Sequence, residues 1–342
     1  MYLSSLKLIN FRSYIDKSLE LQKGLNLIIG NNGAGKTNLL ESVYYLFTTA
    51  SHRTKTVTDL VNWEKDGFYI SGRVQYDGFY NEISVNYGKK NISTMKLNGT
   101  PVKRTDIICS YPAVIFSPED INYIKGSPSL FRRLVNINIS QLKTGYIEYL
   151  FRYNRVLSER NAYLRALKSK DNLNSVSYST WTEELQKCCI KLWESRKLFI
   201  EELNRLIDLE AAEAGYKDRY EIKYRISDYR PGVSDARDFA FRHTTWGAHR
   251  DIFWMEMNGR TLKEFGSRGE SRIAMLLYKQ ALIRYIEEKE KIEPVILLDD
   301  VFSELDKIKR SAIKEKIRGK QVLMTSVSVP AEIDYAVNII NI

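Results

Sequence analysis

Gly30-Asn31-Asn32-Gly33-Ala34-Gly35-Lys36-Thr37 fills the pattern GxxxxGK[ST] at every fixed position. Glycines at the bends let successive backbone N–H groups turn inward, and such a ring of donors cradles phosphate oxygens. In that pattern the lysine, Lys36, reaches the β and γ phosphates, and the hydroxyl of Thr37 is offered to Mg²⁺. The flanks supply the context this loop needs. Residues 25–29 form an apolar run suited to a buried strand, and beyond Lys36 the residues Leu39, Leu40, Val43, Tyr44, Leu46 and Phe47 recur at helical spacing. The stretch therefore predicts a nucleoside triphosphate site made by Gly30, Asn31, Asn32, Gly33, Ala34, Gly35, Lys36 and Thr37. By itself it would serve a kinase, a GTPase or a motor equally well.

More distant segments narrow the choice. Val295-Ile296-Leu297-Leu298-Asp299-Asp300 is an apolar strand ending in two acids, the form of a Walker B element. Asp299 is expected to hold Mg²⁺ through its water shell. Asp300 is expected to orient or deprotonate the attacking water, and it is one methylene shorter than the glutamate usual at this position in ABC ATPases. Phe265-Gly266-Ser267-Arg268-Gly269-Glu270 puts a serine and a glycine at a helix start. Alone, the hexapeptide reads as an ordinary helix N-terminus; its place in the order decides otherwise. It stands about twenty-five residues before the acidic strand end, and Ser303-Glu304-Leu305-Asp306 follows directly. Signature, Walker B and D-loop come in that order in ABC-type ATPases. Ser267, Gly269 and Glu270 would thus meet the γ-phosphate held by a second copy of the chain, with Ser303 and Asp306 in the D-loop. Thr325, ending an apolar stretch at 321–324, is the candidate switch residue that senses the γ-phosphate.

The 342 residues suffice for a nucleotide-binding core with an inserted subdomain. Residues 67–100 alternate in short stretches (68–74, 79–87, 93–97) around the turns Asp77-Gly78 and Asn98-Gly99, which predicts an antiparallel meander. Ser117-Pro118-Glu119-Asp120 carries a cap, a proline and first-turn acids, and Ser127-Pro128 repeats the cap. Helical patterning then runs to about residue 213, interrupted by a polar stretch at 169–180 that reads as a loop between two long helices. Strands are predicted at 113–116, 220–226, 252–257 and 294–298, a helix at 307–317, and a last apolar stretch from Ala336. The expected fold is α/β: an ABC-type P-loop ATPase head with an antiparallel β subdomain and an inserted helical arm. The segments are an N-terminal lobe 1–116, an arm 117–218 and a C-terminal lobe 219–342.

Fifty-two Lys and Arg against 42 Asp and Glu leave ten positive charges, a balance that favours a polyanion such as nucleic acid. Three cysteines, Cys109, Cys188 and Cys189, and three histidines indicate neither a disulfide framework nor a metal site. No apolar run approaches the ~20 residues of a membrane span, and the first residues, MYLSSLKLIN, lack a secretory pattern. A cytoplasmic protein is expected. Arg152, Arg155, Arg160, Arg165, Lys168 and Lys170 make the arm basic, but Glu148 precedes Arg152 by four and Arg155 precedes Glu159 by four, the spacing of a solvated, salt-bridged face. Lys314, Lys316, Arg318 and Lys320 form a similar cluster. His249 reads as a ligand, a switch or a structural hydrogen-bonder.

With these parts in place the sequence resembles the RecF family, bacterial recombination mediators of the same ATPase group as SMC and Rad50 proteins. The resemblance rests on Leu8-Ile9-Asn10-Phe11-Arg12-Ser13-Tyr14, on Phe116-Ser117-Pro118-Glu119-Asp120 with Lys125-Gly126-Ser127-Pro128, Arg132 and Arg133, and on Arg155 with Glu159-Arg160-Asn161. It continues in Gly247-Ala248-His249-Arg250-Asp251 and in LLDDVFSELD, Leu297 to Asp306. Departures stand at Ala248, where the family has proline, at Ile252, where it has aspartate, at Arg268 and Glu270, where glutamines are commoner, and at Asn136, usually aspartate. The resemblance implies that Arg12 approaches the nucleotide and that ATP with Mg²⁺ closes a homodimer over two sandwiched nucleotides. It also implies DNA across the joined basic surface, action at single-strand gaps and duplex junctions, and cooperation with RecO and RecR to load RecA. Hydrolysis would be weak, DNA-stimulated and used to reset the dimer. An SMC or Rad50-like machine would need heptads sustained over many turns, and a transport ATPase would need a membrane partner; the arm of roughly ninety residues and the Asn10-Phe11-Arg12 opening speak against each.

Overall fold

A computed structural model describes residues 1–76, 78–88, 92–167, 173, 176–301, 317–330 and 337–342. The chain forms two compact units, one from Met1–Asp120 with Met275–Ile342 and one from Ile121–Ala274. The first unit opens with the hairpin β1 (Tyr2–Phe11) and β2 (Tyr14–Glu20), followed by β3 (Leu25–Ile29) and helix α1 (Lys36–Thr48). The meander β4 (Phe68–Tyr76), β5 (Phe79–Gly88), β6 (Ile92–Leu97) and β7 (Thr100–Val102) continues the chain, before the short α2 (Arg104–Ile108) and β8 (Ala113–Phe116). Strands β1, β2 and β4–β7 form one antiparallel sheet of six in the order β2-β1-β4-β5-β6-β7. Burial alternates along β4, with Phe68, Ile70 and Val74 inward, the pattern of a sheet packed on one face only.

The second unit holds α3 (Ile121–Lys125), α4 (Pro128–Leu142), α5 (Thr144–Ala166) and α6 (Val176–Glu213). Then come β9 (Tyr220–Arg225), α7 (Val233–Phe241), β10 (Ile252–Met257), β11 (Arg260–Thr261), the one-turn α8 (Leu262–Phe265) and the start of α9 (Arg268–Tyr285). Long helices α5 and α6 pack on each other, α6 also lies on β9, and α4 lies on β10. Returning to the first unit, β12 (Val295–Leu298), β13 (Val322–Ser326) and β14 (Asn338–Asn341) join β3 and β8 in a five-stranded parallel sheet, order β14-β3-β13-β12-β8. All four residues of β12 are buried, as a central parallel strand covered on both faces requires.

Several expectations are corrected. The compact units do not follow the segments 1–116, 117–218 and 219–342: β9, β10 and β11 belong with the helical arm, because their apolar faces pack on α6 and α4. Helix α6 begins at Val176, inside the stretch expected to be a loop. Ser179 and Thr180 donate their hydroxyls back to the Val176 carbonyl while Tyr178 is buried, so these polar residues satisfy themselves within the helix. Arg152 pairs with Glu184 of α6 rather than with Glu148. Arg160 is no surface residue: it is wholly buried against Asp238 at 2.7 Å, with its guanidinium over the rings of Tyr178 and Trp246. Ser303, Asp306, the helix expected at 307–317 up to Lys316, Lys168, Lys170, Lys314 and Lys316 lie outside the described residues.

Arg196 is the second buried arginine. Its guanidinium meets Asp251, the Ala248 carbonyl (2.8 Å), Asn136 Oδ1 (2.8 Å) and Tyr146 Oη (3.0 Å). Burial pushes its pKa down, but Tyr146, Asp251 and Tyr224 facing it more than offset this, and it remains a cation. Asp251 in turn accepts the Tyr224 hydroxyl (2.7 Å), the Ser227 N–H (2.9 Å) and the Trp193 indole N–H (3.3 Å). A buried charge stripped of its partner is costly, whereas an exposed pair contributes little. Asp251→Ala should therefore lower the unfolding free energy by about 3–5 kcal/mol, against less than about 1 kcal/mol for Arg152→Ala. Urea unfolding midpoints check this, and equal effects at the two positions would contradict the assigned role of the Arg196 cluster.

Candidate nucleotide site

The parallel sheet places the predicted residues together. Register pairs Ser326 with Ile29 and Met324 with Leu298, so Gly30, Asp299 and Thr325 emerge side by side at the carboxyl ends of their strands, where parallel sheets hold ligands. Together with Arg53 and Asn38, residues Asn32, Gly33, Gly35, Lys36, Thr37, Asp299, Asp300 and Thr325 line one cleft of about 280 Å³. Gly35 caps α1 with φ of 101°, and a Cβ there would stand 2.9 Å from Ser13 Oγ; Tyr14 donates its hydroxyl to the Gly35 carbonyl at 3.1 Å. The β1–β2 turn thus braces the loop from outside. Lys36 Nζ donates to the carbonyls of Gly30 (2.7 Å) and Asn31 (3.0 Å), which fixes its ammonium within the loop.

Asp299 is the buried centre of the cleft. Its Oδ1 accepts the Thr37 hydroxyl at 3.0 Å and the Thr325 hydroxyl at 2.9 Å, and its own N–H bonds the Phe116 carbonyl at 2.9 Å. Burial pushes its pKa above the ordinary carboxylate value, with neighbouring Asp300 acting the same way, against the two hydroxyl bonds. A divalent cation would relieve this, and one carboxylate, one hydroxyl and phosphate oxygens are the hard oxygen donors that suit Mg²⁺. No cluster of three or more His, Cys, Asp or Glu able to hold a metal unaided occurs among the described residues. Asp300 has φ of 50° and gives its N–H to Thr325 Oγ1 at 2.8 Å. Left-handed backbone is unusual for a residue with a side chain, and here it turns the second carboxylate out of the strand direction into the cleft. Thr325 therefore touches both acids.

Arg12 is tied into the structure beside the loop. It forms a bidentate pair with buried Glu41, both contacts 2.8 Å, and donates to the Asp59 carbonyl at 2.7 Å, and it is absent from the cleft lining. Burial raises the Glu41 pKa, but the bonds from Arg12 and Ser51 and the charge of Arg12 outweigh it and hold the carboxyl below its ordinary value. The arginine that does line the cleft is Arg53, held by Asn38 Oδ1 at 3.0 Å and by Glu41 at 3.5 Å. Sequence reasoning missed it, since a single arginine in the segment after α1 carries no spacing or motif. Beside it, burial pushes the His52 pKa down to about 4.

In the second unit, Ser267 and Glu270 form a reciprocal cap on α9. The Ser267 N–H bonds Glu270 Oε2 at 2.6 Å, and the Glu270 N–H bonds Ser267 Oγ at 3.2 Å, the capping-box arrangement. Glu270 in place of glutamine thus keeps the helix start intact, and the backbone and side-chain bonds of Ser267 hold its carboxyl below the ordinary range. Ser267, Arg268 and Gly269 are exposed. Lys125 Nζ caps the end of α8 through the carbonyls of Leu262 (2.6 Å) and Lys263 (3.2 Å), and also meets that of Gly266 (2.5 Å). His249 proves structural: Tyr153 bonds its Nδ1 at 2.5 Å, its Nε2 faces the Thr244 carbonyl at 3.2 Å, and burial lowers its pKa to about 4. Gly247 beside it has φ of 104°, and a Cβ would stand 2.7 Å from the Tyr153 hydroxyl. Asn136, one of the departures, is absorbed by Arg196 and the Tyr146 hydroxyl.

Comparison with known proteins agrees with this geometry. Residues 2–333 match the RecF/RecN/SMC N-terminal domain family. The chain is 35% identical over 347 residues to a DNA replication and repair protein RecF of Acetivibrio thermocellus, covering 95% of this chain and 93% of that protein. Against its counterpart in Clostridium novyi, identity is 36%, with 95% and 92% covered. A solved structure of the recombination mediator protein RecF with ATP, in the RecFOR pathway, superposes with a TM-score of 0.89 at 30% identity, over 97% of this chain and 93% of that one. An Smc head bound to the C-terminal winged-helix domain of ScpA has a TM-score of 0.52 at 15% identity, over 96% and 90% of the two chains, and shares the fold alone. A phosphate loop, an acid-ended parallel strand and an α9 start built on Ser267 thus sit in a chain that belongs to the RecF family.

Proposed function

We propose that this chain is an ATP-switched DNA-repair protein in which two copies close on two nucleotides and so grip DNA. The observation that carries the reading is the division of labour between the units. Lys36, Thr37, Asp299, Asp300 and Thr325 share one cleft, while Ser267 and Gly269 stand exposed on a helix start of the other unit. A serine whose Oγ accepts the Glu270 N–H still has its own proton to donate, and the first turn of an 18-residue helix favours an anion. Ser267 and Gly269 are therefore suited to the γ-phosphate held by another copy.

Within the cleft the loop N–H groups and Lys36 would bind the triphosphate, and Thr37 and Asp299 would hold Mg²⁺. The ion would neutralise charge between the outer phosphates. Asp300 orients the attacking water and takes its proton, and Thr325, bonded to both acids, relates their positions to the state of the γ-phosphate. Arg53 adds positive charge at the rim. By the family's relationship the DNA is gapped or junction DNA, the partners are RecO and RecR, and the task is to help load RecA, with hydrolysis serving to reset the clamp. The relatives' role in DNA replication and repair and the chain's ten surplus positive charges support that reading. No helix among the described residues is long and apolar enough to cross a membrane.

Light scattering tests the clamp. ATP with Mg²⁺ should raise the mass from monomer to dimer, and Lys36→Ala or Ser267→Arg should each prevent it. Lys36→Ala should also weaken ATP binding by about tenfold to a hundredfold, the loss of a hydrogen bond to a charged group. A wild-type mass indifferent to ATP would contradict the reading. Asp300→Asn should leave the dimer intact and slow hydrolysis by about a hundredfold or more; turnover faster than wild type would refute the role given to Asp300.

A further inference from the structure

A second polar cleft, of about 350 Å³, lies in the helical unit between the end of β9 and α7, and the residues that form it include Arg225, Arg230, Arg237 and Arg250 against the single acid Asp228. Arg225 and Arg237 are exposed. Arg230 is only loosely paired with Asp228, at 3.8 Å with both side chains largely exposed, and Arg250 lies 2.9 Å from His243 Nε2. The other acids nearby are turned away. Asp238 is bound by Arg160, Thr245 and Trp246, and Asp235 by the hydroxyls of Tyr178 and Tyr229 and the Gly232 N–H. Four arginines thus line one cleft with a single, loosely paired acid among them, while the neighbouring carboxylates of Asp235 and Asp238 are taken up by inward partners.

The walls are built rather than incidental. Ser234, buried in the cleft, accepts the Arg230 N–H at 2.9 Å, and Asp251 anchors the Ser227 N–H at 2.9 Å. Arg250 follows the tight turn at Gly247, with its N–H bonded to the Gly247 carbonyl at 2.8 Å. We infer that this arginine cleft binds backbone phosphates of the DNA that the clamp grips. The inference rests on the DNA reading proposed above and names the side chains that carry it. Arginine presents a planar fork that matches phosphate oxygens, and phosphate contacts position a duplex without reading its sequence. An acidic protein surface would also attract arginines, but a stable protein interface is centred on apolar residues, and this cleft is lined mostly by polar atoms.

The test is the salt dependence of binding to a fluorescent duplex carrying a single-strand gap, with ATP and Mg²⁺, for wild type and the Arg225→Ala/Arg237→Ala pair. Each lost phosphate contact should lower the slope of log affinity against log salt by about 0.9; the pair is lost from both chains of the clamp, so the slope should fall by about 4 and binding at low salt should weaken by about tenfold or more. ATP-driven dimerisation of the same variant, followed by light scattering, should match wild type. If the pair fails to dimerise, the single Arg237→Gln variant, changed on an exposed helix face, should lower the slope by about 2, one contact from each chain. Wild-type slope and affinity in a dimerising variant would overturn the cleft while leaving DNA binding in place. Absence of DNA binding by wild type would overturn both.

Discussion

Asp299 closes a strand whose other side chains are all buried, and its carboxylate accepts hydroxyl bonds from Thr37 and Thr325, 3.0 and 2.9 Å away. Those three residues come from different elements: the first turn of α1, the end of β12 and the end of β13. Bringing them within hydrogen-bond reach requires parallel register across β3, β13 and β12, which in turn requires the uninterrupted apolar runs that let these strands be covered on both faces. The left-handed backbone at Asp300 follows from the same place, since its N–H is drawn to the hydroxyl that Asp299 already holds. In the proposed mechanism the residue for the nucleotide's metal and the residue for its attacking water are thus adjacent acids bonded to one threonine.

The helical unit is organised around two buried arginines instead of a wholly apolar core. Arg160 with Asp238 ties α5 to α7, and Arg196 with Asp251 ties α6 to the segment entering β10. Each pair is surrounded by hydroxyls, amides and rings that complete its hydrogen bonds, the condition under which buried charge is tolerated. Such pairs favour one arrangement of helices strongly over others, because any slip leaves a buried ion unpaired. That fixes the placement of α7 and the Gly247 turn, and with them the positions of Arg237 and Arg250.

The parts legible in the sequence are those whose chemistry is local. The phosphate loop, the acid-ended strand and the capped start of α9 each declare themselves within six to eight residues, and the meander and the parallel strands follow from apolar periodicity and Asn-Gly turns. Sequence reading went astray where the deciding contact is distant. Arg160 looks like one more charge on a solvated helix face until Asp238, far along the chain, is placed beside it. Arg53 lines the cleft without any motif to announce it. Strands β9 and β10 were legible as strands, but which layer they pack on depends on α6 and α4. Glu270 looked like a departure from the family's pattern; its reciprocal bonds with Ser267 show a helix start kept in order.

The central claim is that the nucleotide site is shared between two chains, and mixing two defective chains tests it most directly. The Lys36→Ala chain keeps a sound signature, and the Ser267→Arg chain keeps a sound phosphate loop, so a mixed dimer contains one complete composite site although neither chain alone can form any. Combining the two variants with ATP and Mg²⁺ should therefore restore a dimeric species by light scattering, and hydrolysis with it. A mixture that behaves as the sum of its separate, inactive components would contradict the shared site and confine nucleotide chemistry to a single chain.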